Sequence, residues 1–190
     1  MKVQYKQFNT SVEANTWANH FKSYFPSDND DDKEFLTAID FYSASANPIF
    51  NNHLRYNRPL ETDDFLYPYV QKMKAKLPSY HIPDNIVVYR YISKGLLKAM
   101  CPSYPPKRGM LLHDKGFMST TLIRESINDY RSFHHQNILL VISVPSGTKG
   151  TYIGLLKNTL KEYEVILAPN TKLRIDNKFF NKCFWCTVVD

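Results

Sequence analysis

No stretch of this chain approaches the roughly 18 consecutive apolar residues of a membrane-crossing helix. The best apolar run is Ile138 to Ile142, so a helix-spanning membrane protein is excluded. The opening MKVQYKQFNT has no apolar stretch either, and no secretory signal peptide is read there. Cysteine is scarce: Cys101, Cys183 and Cys186 are too few for a disulfide framework. Glycine numbers only 6, against 13 Tyr and 12 Phe; this balance suits packed sheet better than long flexible loops. Internal repeats and low-complexity linkers are missing.

What is present is an ordinary globular composition, 43% hydrophobic and 22% charged over 190 residues. That length gives one domain able to bury its own core. The net charge of +6 is uneven. Residues 1–64 carry −4 and residues 65–190 carry +10. A basic C-terminal two-thirds favours an anionic partner: a phosphate-bearing ligand, a nucleic acid or an acidic protein face.

The first third reads helical. Thr10 and Glu13 form a capping-box pattern, followed by Val12, Trp17 and Phe21 at helical spacing. Asp31 to Glu34 is a second start signal, with Phe35, Ile39 and Tyr42 on one face. Asn47-Pro48 reads as the cap and first residue of a third helix ending near Leu54 and Arg55. Thr62 caps a fourth helix to about Lys76, kinked at Pro68. After Pro83 the character changes. IVVYRYIS (86–93), GFMSTTL (116–122), NILLVISV (137–144), TYIG, EYEVILAP (162–169), KLRI and CFWCTVV read as strands. SKGLLKAM is a short helix, CPSYPPKRG a loop, and RESINDYRSF a loop or short helix. Helices first and strands later make the class α+β, with a helical lobe over 1–80 and a mainly β core over 84–190.

Four features could carry chemistry. Arg90 interrupts an apolar strand. It is either an edge residue facing solvent or a guanidinium fork holding phosphate. The hydroxyls of Ser119, Thr120 and Thr121 are either an exposed-strand run or donors that orient another polar group. Glu162 and Glu164 stand two apart as a strand begins, so the strand period puts both on one face. They are either a solvated strand end or a pair in which one carboxyl is raised for base work. Cys183 and Cys186 form a lone CxxC without a second ligand pair, which reads as strand residues and no metal site.

Their order adds information: aromatic-Arg on a strand, aromatic-x-Ser-Thr-Thr, then Glu-x-Glu entering a strand. This resembles the arginine–serine–glutamate class of bacterial mono-ADP-ribosyltransferase toxins. ANTWANHF, AIDFY and FNNHLR resemble the helical lead-in of the Rho-modifying exoenzymes, the iota-toxin enzymatic component and the vegetative insecticidal actin-modifying toxins. VPSGTKGTYIG and EYEVILAPNTKLRI resemble the approach to, and passage through, their catalytic strand. The resemblance spans about residues 12–176.

The resemblance implies two packed antiparallel sheets with an N-terminal helical lobe and NAD in the cleft. It implies that Arg90 and Arg55 hold the NAD phosphates, with Asn51, Tyr91, Ser119, Thr121, Arg131 and Phe133 as further NAD contacts. Ser119 would orient the catalytic Glu164, and Glu162 would select and activate the acceptor, with Glu pointing to arginine. The loop 154–161 would recognise the acceptor protein. Thr121 stands where a Ser is usual, and Asn137 where an Arg is usual, with Arg131 as its substitute. The implied activity is NAD-dependent arginine mono-ADP-ribosylation of a host protein, actin foremost, with NAD hydrolysis on the side. The protein would be secreted or injected, with a separate translocation component as partner and no membrane insertion by this domain. The rival outputs are an NAD glycohydrolase and a nucleic-acid ADP-ribosyltransferase, with a non-enzymatic basic binding module last.

Overall fold

The computed structural model describes residues 3–19, 29–58, 65–101, 103–127, 137–154 and 163–189. The helix α1 (Ser11–Ala18) opens with the expected capping box: the Thr10 hydroxyl accepts from the Glu13 amide, and the Glu13 carboxylate accepts from the Thr10 amide. Its inward face is Ala14, Trp17 and Ala18; Val12 is 72% exposed and faces away. Trp17 donates its indole N–H to Asp84 at 2.8 Å, tying α1 to the segment before the first strand. Phe21 lies outside the described residues.

The second helix, α2 (Asp30–Phe41), is capped two residues before the Asp31 signal, because Asn29 is the residue whose side chain accepts from the Asp32 amide. Phe35 and Ile39 are buried as expected, and so is Tyr42. The helix does not stop there. A π-helical turn over Tyr42–Ala46 carries it without a break into α3 (Asn47–Tyr56). Asn47 is itself in helical backbone and caps nothing, because the wider turn keeps the chain helical through YSASA. The αL residue Asn57, at φ 48°, ends α3. The next helix, α4 (Tyr67–Lys76), has Pro68 in its first turn, where the missing N–H has no partner to lose. The expected kink is therefore a helix start; Thr62 lies outside the described residues.

The strands are β1 (Ile86–Ile92), β2 (Leu111–Asp114), β3 (Met118–Thr121), β4 (Ile138–Val144), β5 (Gly150–Tyr152), β6 (Glu164–Leu167), β7 (Thr171–Phe179) and β8 (Cys183–Val189). The short helix α5 (Lys94–Met100) follows β1, and a 3₁₀ turn over Arg124–Ile127 follows β3. Among the described residues, all eight strands join one hydrogen-bonded sheet in the order β2-β7-β8-β4-β1-β3-β6-β5, rather than the two separate sheets expected. The seam between its halves is narrow: β1 and β3 share only the Tyr89↔Thr121 register, whereas β1 and β4 pair along their whole length.

Two cores flank this sheet. One packs α1 and α5 against the inner face, through Trp17, Leu97, Val88, Ile142 and Val165. The other packs α2, α3 and α4 against Phe117, Ile153 and Ile166. Consecutive residues of β6 thus serve opposite cores, which is why EVIL is buried throughout and reads as an unbroken apolar run. Fully burying a side chain such as Phe50 contributes about 1.5–3 kcal/mol. The second core seats α3 against Phe117, just before β3, and the candidate residues converge there.

Candidate active site

Serine 119 and Glu164 face each other across the β3–β6 ladder. Their strands are in antiparallel register, with Thr121 opposite Glu164 and Ser119 opposite Ile166. The period of two places Ser119, Thr121, Glu164 and Ile166 on the face toward the helical lobe. There the Ser119 hydroxyl donates to Glu164 Oε1 at 2.5 Å. Glu164 is 7% exposed, so its carboxylate is fixed in place and largely removed from water. Thr120 points the other way and donates to the Val165 carbonyl, bracing the same pair of strands.

On β1, Arg90 shares its row with Ile86, Val88 and Ile92, all fully buried. An arginine in such a row needs an anion. It finds Asp114, at the end of β2, with one 3.3 Å bond from Nη1 to Oδ2. Asp114 has 0% exposure and was not singled out by the sequence pattern. Its main partner is Arg55, whose Nε reaches Oδ1 at 2.7 Å and whose Nη2 reaches Oδ2 at 2.8 Å. Arg55 and Asn51 sit four apart on α3, hence on one face. Arg55 also donates to the Phe117 carbonyl at 3.3 Å, and the Gly116 amide donates to Asp114 at 3.0 Å.

Two guanidiniums thus share one buried carboxylate. The electrostatics divide accordingly. Burial opposes the Arg55 charge, but its paired bonds to Asp114 outweigh that and hold the group above its ordinary value. Burial pulls Arg90 below its ordinary value; Asp114 counteracts this, and the neighbouring Arg55 charge adds to the depression. Glu164 belongs to the same field, since its charge supports Arg90 and raises the Tyr42 hydroxyl. Burial is the main cause of the Tyr42 rise, to about 12, so this phenol stays protonated. It accepts from Asn51 Nδ2 at 3.2 Å and donates to the Phe117 carbonyl at 3.4 Å. The other amide atom, Asn51 Oδ1, is buried with no hydrogen-bond partner among the described residues.

Gly116 makes room for this cluster. A Cβ there would lie 2.5 Å from Asn51 Oδ1 and 2.8 Å from Arg55 Nε.

The structure therefore brings Arg55, Arg90, Asn51, Ser119 and Glu164 into one neighbourhood. Tyr91 points away from Arg90 by strand alternation and packs with Val87, Tyr89 and Leu139. Thr121 is buried and braces the turn after β3, bonding to the Ile123 amide and to Ser126. Arg131, Phe133, Glu162 and residues 155–161 lie outside the described residues. The shared-face argument for Glu162 and Glu164 does not carry over, because Tyr163 sits at φ 47° and the strand begins only at Glu164. The two cysteines of β8 are an odd number apart, on opposite faces; burial raises both thiols, Cys186 to about 12. Among the described residues no three His, Cys, Asp or Glu side chains cluster as metal ligands.

Comparison with known proteins matches residues 4–182 to the family described as ADP-ribosyltransferase exoenzyme. The Photox toxin of Photorhabdus laumondii is 27% identical over 169 residues, which is 76% of this chain and 39% of Photox. The NAD(+)–arginine ADP-ribosyltransferase EFV of Enterococcus faecalis is 26% identical over 149 residues, covering 75% of this chain and 28% of EFV. The chain thus spans well under half the length of these curated relatives. Among solved structures, C3stau2 of S. aureus with NAD superposes with a TM-score of 0.75 at 20% identity, covering 99% of this chain and 100% of the other.

Proposed function

Because the chain belongs to the ADP-ribosyltransferase exoenzyme family, we propose that it transfers ADP-ribose from NAD to an arginine of a host protein, actin foremost, and hydrolyses NAD when no acceptor is in place. One observation carries this reading: the Ser119-fixed carboxylate of Glu164 stands in the same electrostatic field as an arginine pair that a single buried carboxylate only half neutralises. That field suits a ligand with a pyrophosphate at one end and a bond that breaks with developing positive charge at the other.

Each residue then has a role. Arg55 and Arg90 take the pyrophosphate, with guanidinium forks that match phosphate oxygens. Asn51 offers its unpartnered amide oxygen to a donor on the ligand. In the reaction the bond from the ribose C1′ to the nicotinamide nitrogen breaks, and nicotinamide leaves with the electron pair. The sugar gains oxocarbenium character. Glu164 meets that charge, and because Ser119 already holds it, no reorganisation is needed; groups of this kind contribute about 3–4 kcal/mol. The acceptor guanidine nitrogen then bonds to C1′ and gives up a proton. A guanidinium keeps its proton up to a pKa above about 12, so a base is required, and Glu162 is the assigned base. The arginine preference rests on the Glu-x-Glu pattern and agrees with EFV being an NAD(+)–arginine ADP-ribosyltransferase. The site would work in a host cytosol after secretion or injection, with a translocation component supplying entry.

The test is labelled NAD in a eukaryotic lysate, with wild type, Glu164→Ala and Glu162→Gln side by side. A discrete, hydroxylamine-sensitive labelled protein is expected with wild type only, and its mass reports whether it is actin. Glu164→Ala should lower both transfer and nicotinamide release by about 10²–10³-fold or more; Glu162→Gln should lose transfer and keep much of the release. Transfer surviving Glu164→Ala would reject the assignment of roles. Label removed by nuclease would mean a nucleic-acid acceptor instead.

A further inference from the structure

We propose that Asp114 is a positioning residue for NAD: it holds Arg55 in the pose that receives the pyrophosphate and leaves Arg90 largely unengaged for the same anion. This rests on the cleft being an NAD site.

The geometry is specific. Asp114 is fully buried, and three protein groups converge on its two oxygens from separate elements: Arg55 on α3, Arg90 on β1 and the amide of Gly116 in the loop before β3. Oδ1 takes Arg55 Nε and the Gly116 amide, while Oδ2 takes Arg55 Nη2 and Arg90 Nη1. Two parallel bonds fix the plane of a guanidinium, not merely its position. The Phe117 carbonyl accepts a further bond from Nη2, so two edges of Arg55 are committed. Its Nη1 makes no hydrogen bond among the described residues, and neither do Nε and Nη2 of Arg90.

The charges agree with the geometry. At Asp114 two guanidiniums share one carboxylate, and the Glu164 charge supports Arg90 without bonding to it. Asp114 separates the like charges, which would otherwise repel in a dry site. An arriving pyrophosphate completes the compensation through donors that the protein leaves open. Asp114 touches neither the reacting carbon nor the nicotinamide in this scheme; it acts through the arginines.

The experiment measures binding of NAD and of inorganic pyrophosphate by calorimetry, and KM and kcat for nicotinamide release. Wild type, Asp114→Asn, Arg55→Lys and the double variant are compared. Asp114→Asn keeps the volume and one carbonyl acceptor, and removes the charge. It should weaken both ligands by about ten-fold or more, the scale of a lost charged hydrogen bond, and raise KM by a larger factor than it lowers kcat. In the Arg55→Lys background it should add little, since a lysine cannot be held by its plane. Multiplicative losses in the double variant would overturn the proposal. So would ligand affinities within about two-fold of wild type in Asp114→Asn. If Asp114→Asn does not fold, Arg55→Lys against Arg55→Gln decides. Positioning requires the Lys variant to lose most of the affinity despite its charge, and a Lys variant that binds like wild type overturns it. Wild type binding pyrophosphate but not NAD would remove the NAD reading and leave this role standing. NAD bound equally by wild type and Asp114→Asn would do the reverse.

Discussion

On the outer side of α2 and α4, Asp31, Asp32 and Glu34 meet Lys72 and Lys76. Beneath α3, Asp114 meets Arg55 and Arg90. The two clusters use the same kind of attraction and have opposite imbalances: three acids to two amines outside, one acid to two guanidiniums inside. Outside, the side chains of Asp31 and Glu34 are 62% and 61% exposed, and water and salt absorb the excess. Inside, Asp114 has no exposure, and excess charge there must be met by matter rather than by solvent. An imbalance is ordinary at a surface; in a core it marks a place where something binds.

The contrast can be broken or sharpened by experiment. Asp114→Ala leaves two buried cations without their carboxylate, and unfolding in urea should become easier by about 3–5 kcal/mol; a loss below about 1 kcal/mol would place the inner cluster in the surface class. Gly116→Ala should cut nicotinamide release by about 10²-fold, since displacing Arg55 and Asn51 by an ångström misplaces the ligand. Its melting temperature should move far less than that of Asp114→Ala, which paired thermal and kinetic assays would reveal. The outer cluster should respond to acid. Hydrogen bonds from Lys72 and Lys76 hold Asp31 down from 3.8 to about 2. With a folded pKa below the unfolded one, its stabilisation is complete above pH 3.8 and disappears as pH falls toward 2. Urea midpoints followed from pH 5 to 2 should therefore flatten in Asp31→Asn. Smallest of all, Lys76→Met should leave turnover unchanged, and its stability effect should shrink in 1 M salt without disappearing, since the Lys76 side chain is only 17% exposed.

Much of the inner site was legible in the sequence. Arg90 stood out because it breaks an apolar strand, and Glu164 because an acid precedes Val165, Ile166 and Leu167. Asp114 was not, for a physical reason. Its strand has only four residues and follows three prolines, so LLHD offers too short an alternation to register. The available signal was that Leu112 and Asp114 would share a face, and an acid in a core row requires a cation. That cation is 59 residues away on a helix, a pairing that no local pattern carries. The π-helical turn was hidden likewise: YSASA contains small residues compatible with either a break or a continuous helix, and packing of Tyr42 and Phe50 on Phe117 decided for continuity. The seam between the sheet halves was invisible because strand pairing is set by tertiary contacts. Tyr163 shows the limit of counting by twos, since one αL residue cancels the alternation.

The strand order has a consequence in time. β8, the last strand along the chain, lies inside the sheet between β7 and β4, and runs parallel to β4. While the ribosome is still making residues 183–189, β4 and β7 have no common neighbour and the sheet is open between them. Arg90 lies on β1 beyond β4, and Asp114 lies on β2 beyond β7. The partners of the inner charge cluster therefore sit on opposite banks of that gap until β8 fills it. A growing chain would form its helices before β8 joins the two halves of the sheet and brings Arg90 and Asp114 together.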